Sequence, residues 1–141
     1  VDNCITMNTL EHVYDPKFLI EELHRVLKKG GCVHITVPWM FRIHGHPDDF
    51  TRATPSWWRK TLEDAGFESA EITPLVWGRY CTAGTMTGYG RIFKKLSIHL
   101  AHLKDCLYAF VCFRGKGQNY SGKRAQRIYN VALGHFITAR K

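Results

Sequence analysis

The chain has 141 residues, 45% of them hydrophobic and 23% charged, which excludes a disordered or collagen-like chain and is enough for one buried core. Its net charge of +8 is uneven: residues 1–75 carry 8 Lys+Arg against 11 Asp+Glu, while residues 76–141 carry 12 against the single Asp105. No apolar stretch is long enough for a transmembrane helix, and no signal sequence opens the chain.

The elements read in chain order as follows. Cys4–Met7 is a short apolar strand, and Asn8–Val13 a polar loop or helix entrance. Asp15-Pro16 has the form of an N-cap followed by proline at the first helical position, and apolar residues at 18, 19, 23, 26 and 27 line one helix face. Glu21 and Glu22 early in this helix and Lys28 and Lys29 in its last turn suit the macrodipole, with Gly30-Gly31 ending it. Cys32–Val37 follows as a β-branched strand stopped by Pro38. Strand, helix and strand in so few residues make a βαβ unit with parallel pairing.

Residues 39–54 read as a loop that interleaves aromatic, histidine and acidic residues. Thr54-Pro55 restarts a helix, with Trp58, Leu62 and Ala65 on one face and Gly66 at its end. Residues 68–75 alternate as a third strand. Residues 76–90, with four glycines, read as an irregular loop, and 91–113 as a long amphipathic helix. Residues 115–123 form a polar glycine-rich loop, and 131–139 a last strand. There is no internal repeat. The five cysteines share no CxxC spacing, so free thiols and a reducing cytoplasm are expected.

Several of these segments, taken in order, resemble a known family. Leu10-Glu11-His12-Val13, the helix end Leu23–Gly31, the strand running into Val37-Pro38, Leu62–Phe67 and the closing Gly134–Lys141 look like the second half of class I S-adenosylmethionine-dependent methyltransferases of type 11. Residues 1–75 carry the match most fully, the last ten residues complete it, and 76–130 match only as a variable basic helical insertion or lid. The resemblance implies an α/β fold, a partial Rossmann-like sheet holding strands 4-5-7-6 of a 3-2-1-4-5-7-6 order with flanking helices. Residues 1–141 would then be the C-terminal part of one methyltransferase domain. Val1 leads straight into an apolar run, and the glycine motif and ribose-binding acid of the cofactor are absent, so a truncated enzyme is expected. Its first strand would be an open edge, able to pair with a missing N-terminal half or with another chain.

The resemblance implies S-adenosyl-L-methionine as cofactor, met through the backbone of Met7, Asn8, Thr9 and Leu10, where doubly wound folds bind ligands beyond strand carboxyl ends. The same segment also reads as a cap for the next helix. Glu11 and His12 together suggest a general base, but the resemblance implies that this pair shapes the pocket and orients substrate; His12 is read as a pocket wall, and no catalytic residue is assigned. The loop beyond the second strand supplies Trp39, His44, His46, Asp49 and Arg52 as acceptor-binding candidates, a mixture of apolar and polar groups that suits a substrate pocket. His44 and His46 with Asp48 or Asp49 have plausible metal-ligand types, but an Asp49–Arg52 pair inside the loop is the stronger reading and no metal is expected.

The expected function is therefore methyl transfer to a small-molecule or lipid acceptor. The alternative is a non-catalytic module that binds a partner through its basic C-terminal half. That half reads as a membrane-docking lid, as a nucleic-acid patch using Tyr80, Tyr89 and Tyr120, or, favoured over both, as a helix whose apolar stripe packs on the fold.

Overall fold

The computed structural model describes residues 1–45, 48–90, 92–113 and 130–141. Its elements are β1 (Asn3–Met7), a 3-10 turn (Leu10–His12), α1 (Pro16–Val26), β2 (Cys32–Pro38), α2 (Pro55–Asp64), β3 (Ser69–Trp77), α3 (Arg79–Thr87), α4 (Lys94–Phe113) and β4 (Ala132–Arg140). The four strands form one sheet in the order β1-β2-β4-β3. β1 and β2 are parallel, and β2 and β4 antiparallel. This is the order 4-5-7-6, and β1 lies at an edge, as expected.

The chain folds as two compact units, one of residues 1–39, 43–73 and 134–141, the other of residues 40–42 and 74–133. In the first, the proline signals work as read. Asp15 Oδ1 accepts from Lys17 N at 3.1 Å and Phe18 N at 3.2 Å, and Thr54 Oγ1 accepts from Trp57 N at 3.3 Å. Each cap satisfies donors that the first helical turn leaves open. The inward faces of α1 and α2 then meet the sheet through Ile20, Trp58 and Leu62, packed with Leu10, Val33, Ile35, Val37 and Ile137.

α1 ends earlier than its sequence suggests. Leu27 is its extended C-cap, so Lys28 and Lys29 lie beyond the last turn. The cause is competition for the backbone: Lys28 N donates to Val1 O at 2.9 Å, drawing the chain toward β1. Gly30, at φ 77°, forms the turn after the helix, and its N–H donates to Lys141 O at 2.6 Å.

β4 runs through the middle of the sheet and carries His135, 4% exposed, whose Nε2 has no hydrogen-bond partner among the described residues. Burial pushes this imidazole below its ordinary value of 6.5. The folded state therefore resists a proton that the unfolded chain accepts. Its stabilising contribution is complete above pH 6.5 and is lost as pH falls through the lowered folded value. The urea midpoint should decline as pH is taken below 6.5, and His135→Leu should flatten that part of the profile.

In the second unit, residues 79–87 form a helix where the sequence suggested a loop. Its glycines mark helix ends and a close approach: Gly78 is the N-cap at φ 127°, Gly88 the left-handed C-cap at φ 95°, and a Cβ on Gly84 would lie 2.3 Å from the Tyr89 ring. Gly78 has no side chain to cap with, and Asp105 of α4 does the work instead. Its carboxylate accepts from Tyr80 N at 3.1 Å and Cys81 N at 2.8 Å. Arg79 adds a second tie, donating to the Tyr108 hydroxyl at 2.8 Å.

All five cysteines are free. Burial and the Asp105 carboxylate push the Cys81 thiol up to about 11, whereas Cys106 is exposed. Since the thiolate is the nucleophile, iodoacetamide at pH 8 should alkylate Cys106 well before Cys81, as peptide mapping over a time course would show.

Most of the α4 apolar stripe is exposed, contrary to the favoured expectation that it packs away: Leu96, Leu100, Leu103, Leu107 and Phe110 all face solvent. The 115–123 loop, Arg91 and Tyr120 lie outside the described residues. Among the described residues, no helix is long and apolar enough to cross a membrane.

Candidate functional site

The parallel pairing of β1 and β2 places their carboxyl ends side by side, and the chain leaves each into a polar segment. At the end of β1, Asn8 adopts a left-handed conformation, φ 49°. Thr36 of β2 holds it there: Asn8 N donates to Thr36 O at 2.9 Å, and the Thr36 hydroxyl donates to Asn8 Oδ1 at 3.3 Å. Asparagine tolerates this region better than most side chains, because its short amide bonds locally. Met7, Asn8 and Thr9 are exposed. Leu10 is fully buried in the core.

The 3-10 turn brings Glu11 and His12 under the loop that follows β2. Glu11 O accepts from Phe50 N at 2.7 Å and from Thr51 N at 3.3 Å, which pins the loop's second half. His12 Nδ1 lies 2.5 Å from Asp48 O. A carbonyl oxygen only accepts, so Nδ1 carries the proton and the Nε2 edge turns to Glu11, 3.7 Å from Oε1. The His12 and His44 rings meet edge to face with centroids 5.3 Å apart.

Asp49 and Arg52 form the expected pair. Asp49, its side chain 3% exposed, accepts from both Arg52 terminal nitrogens, and its Oδ2 also accepts from His44 N at 3.1 Å. Burial alone would raise this carboxyl. The Arg52 hydrogen bonds and the His44 N–H outweigh it and hold Asp49 below its ordinary value of 3.8. Arg52 Nη2 also lies 3.3 Å from His44 Nδ1. The loop is thus cross-braced around a buried charge pair.

His12, His44, Asp49 and Arg52 therefore come together as one cluster. Trp39 is half-buried elsewhere in the first unit, its ring 6.2 Å from that of His135. His46 lies outside the described residues. Beside Arg52, a hollow of about 490 Å³ is lined by Asp15, Lys17, Phe50, Thr54 and Trp57 among others. Glu11, singled out in the sequence together with His12, joins the cluster. Its adjacency to His12 was visible, but its burial beneath a distant loop was not.

Residues 1–35 match the family of the methyltransferase domain. Solved structures agree along nearly the whole chain. A putative methyltransferase complex from Haloferax volcanii, containing the Trm112 methyltransferase activator, aligns at 19% identity and TM-score 0.53 over 99% of this chain and 54% of that one. Phosphoethanolamine N-methyltransferase 2 of Haemonchus contortus, in complex with S-adenosyl-L-methionine, aligns at 15% identity and TM-score 0.55 over 99% and 33%. The fold is that of S-adenosylmethionine-dependent methyltransferases.

A third methyltransferase structure of this fold, a possible histamine N-methyltransferase from Thermotoga maritima, aligns at 14% identity and TM-score 0.54 over 99% and 56%. The chain thus spans between a third and just over half the length of these methyltransferases. No curated protein matches the sequence.

Proposed function

We propose that the chain is the acceptor-side part of an S-adenosylmethionine-dependent methyltransferase acting on a small-molecule or lipid acceptor. The observation that carries this reading is the meeting of the β1 and β2 carboxyl ends at the Glu11–His12–His44–Asp49–Arg52 cluster, the place where this fold class takes its ligands. Two of the structural neighbours are described as N-methyltransferases of a small amine, the Haemonchus contortus and, as a possible one, Thermotoga maritima proteins.

The fit to the cofactor rests on Met7–Thr9. This strand end is exposed, and the Thr36 bonds give it a fixed left-handed bend at Asn8. S-adenosyl-L-methionine supplies an electrophilic methyl group. In this reading the backbone of Met7–Leu10 holds the methionine end of the cofactor. Trp39, His12, His44, His46, Asp49 and Arg52 hold and orient the acceptor. Positioning and exclusion of water supply much of the rate in such a transfer, so a braced loop matters more than a dedicated base. β1's open edge would receive the remaining strands of the sheet, from the same or another polypeptide.

The test is a transfer assay with methyl-labelled cofactor on protein that contains this chain and the remaining strands. Arg52→Met with Asp49→Leu should lower kcat while leaving cofactor affinity within about twofold, since in this reading the pair orients the acceptor and not the cofactor. Unchanged turnover would remove the loop from the active site. The exposed α4 stripe with Lys94, Lys95 and Lys104 favours a second reading, a non-catalytic binding module. That module would show no methyl transfer to any acceptor.

A further inference from the structure

We propose that Glu11, His12 and His44 form a binding site for a divalent transition-metal ion. One ligand atom from each residue falls within 4.8 Å of the others. Metal–ligand bonds of about 2.0–2.2 Å put tetrahedral ligand atoms roughly 3.4 Å apart, so the three groups must close by about an ångström or somewhat more. The His44 side chain is 42% accessible and can make that movement by turning about its own torsions while the braced backbone stays in place.

An independent observation points to a cation. Glu11 is 1% exposed, and among the described residues neither carboxylate oxygen has a hydrogen-bond donor. Buried carboxylates are otherwise paired, hydrogen-bonded or bound to metal, because an uncompensated one is costly. His12 Nε2, 3.7 Å from Oε1, is too far to satisfy it by a hydrogen bond.

The surroundings suit metal ligation. The Nδ1 proton of His12 is committed to Asp48 O, which leaves the Nε2 lone pair for a metal and fixes the ring's orientation. Asp49 lies 3.4 Å from His44 Nδ1, and its carboxylate offsets the neighbouring Arg52 charge. Two imidazoles and one carboxylate are ligands that Zn²⁺, Co²⁺ and Fe²⁺ accept. The set differs from the loop-only combination of His44, His46 and an aspartate suggested by the sequence. Half-buried His12 and exposed His44 leave a coordination position open to water or to an acceptor oxygen. The inference does not rest on methyl transfer.

The experiment titrates the chelator-treated, 141-residue chain with Co²⁺ alone and follows its absorption spectrum. One equivalent should bind with the weak visible bands of nitrogen and oxygen ligation and without an intense thiolate charge-transfer band. His44→Gln should weaken binding by at least ~10-fold, the lower end of what even an outer-sphere change costs. His44 is exposed, so this variant should keep the fold, whereas Glu11→Gln alters a buried position. His102→Gln with Cys106→Ser, a pair 3.6 Å apart in α4, should leave binding unchanged. Absence of binding, a thiolate band, or affinity indifferent to His44→Gln would each overturn the proposal.

Discussion

Asp49→Ala should destabilise the first unit by about 3 kcal/mol, the lower end of the range for removing one partner of a buried ion pair. The cost comes less from the lost attraction than from what remains. Asp49 is almost wholly buried and Arg52 has a side-chain accessibility of 20%, so the substitution leaves a largely buried guanidinium without its counter-charge. The His44 N–H also loses its acceptor. Replacing both partners, Asp49→Leu with Arg52→Met, should recover much of the stability, because an apolar pair fills the space without a stranded charge. Urea unfolding monitored by tryptophan fluorescence separates the two outcomes. Equal loss in single and double variants would mean that the pair contributes more than its desolvation costs.

The same pair gives a pH dependence at the acid end. Asp49 is held below 3.8, so its contribution is present above that value and is lost as pH falls through the lower folded value. His135 acts in the same direction at higher pH, below 6.5. Acid should therefore weaken the first unit in two stages.

Asp105→Ala is the second large effect, and it should act on α3. The carboxylate is 3% exposed and accepts from two backbone N–H groups at the first turn of that helix. Hydrogen bonds to a charged group contribute ~1.5–3 kcal/mol each, so losing both should cost about 3 kcal/mol after the freed donors find some water. The substitution leaves Gly78 as an N-cap with nothing to offer. Amide exchange at Tyr80 and Cys81 should rise sharply, while Ile35 and Ile137 in the first unit keep their protection. Asp105→Asn retains one acceptor oxygen and should fall between wild type and alanine. If exchange at Tyr80 and Cys81 stays slow in Asp105→Ala, the cap is not what holds the helix.

These two aspartates mark how far the sequence could be read. Asp49 and Arg52 are three residues apart in one loop, so a local rule found their pairing. Asp105 caps a helix 24 residues upstream, and no local signal announces that. The helix it caps was hidden for a related reason. Gly78, Gly84, Gly88 and Gly90 together resemble a loop, yet two of them are helix ends and one makes room for Tyr89. Composition reads glycine as flexibility, while packing uses it for close approach.

The sheet order was legible because the βαβ unit and the closing strand form a recognisable sequence of motifs. Asp15-Pro16 and Thr54-Pro55 placed both helix starts correctly, since a cap followed by proline satisfies local backbone chemistry. The early end of α1 was not legible: Lys28 leaves the helix to bond Val1, and only the fold brings those two together. The site divided in the same way. Glu11, His12 and His44 were visible as polar residues near strand ends, but the burial of Glu11 with no donor among the described residues is a product of tertiary packing.

The central claim, that the strand end at Met7–Leu10 faces the methionine end of the cofactor, is tested most directly by titrating the isotopically labelled chain with S-adenosyl-L-methionine and following its backbone amides by NMR. Weak, saturable shifts centred on Met7–Leu10, with smaller ones at Thr36, are the predicted result. Micromolar binding, or shifts confined to α4 with residues 7–10 unmoved, would contradict the account.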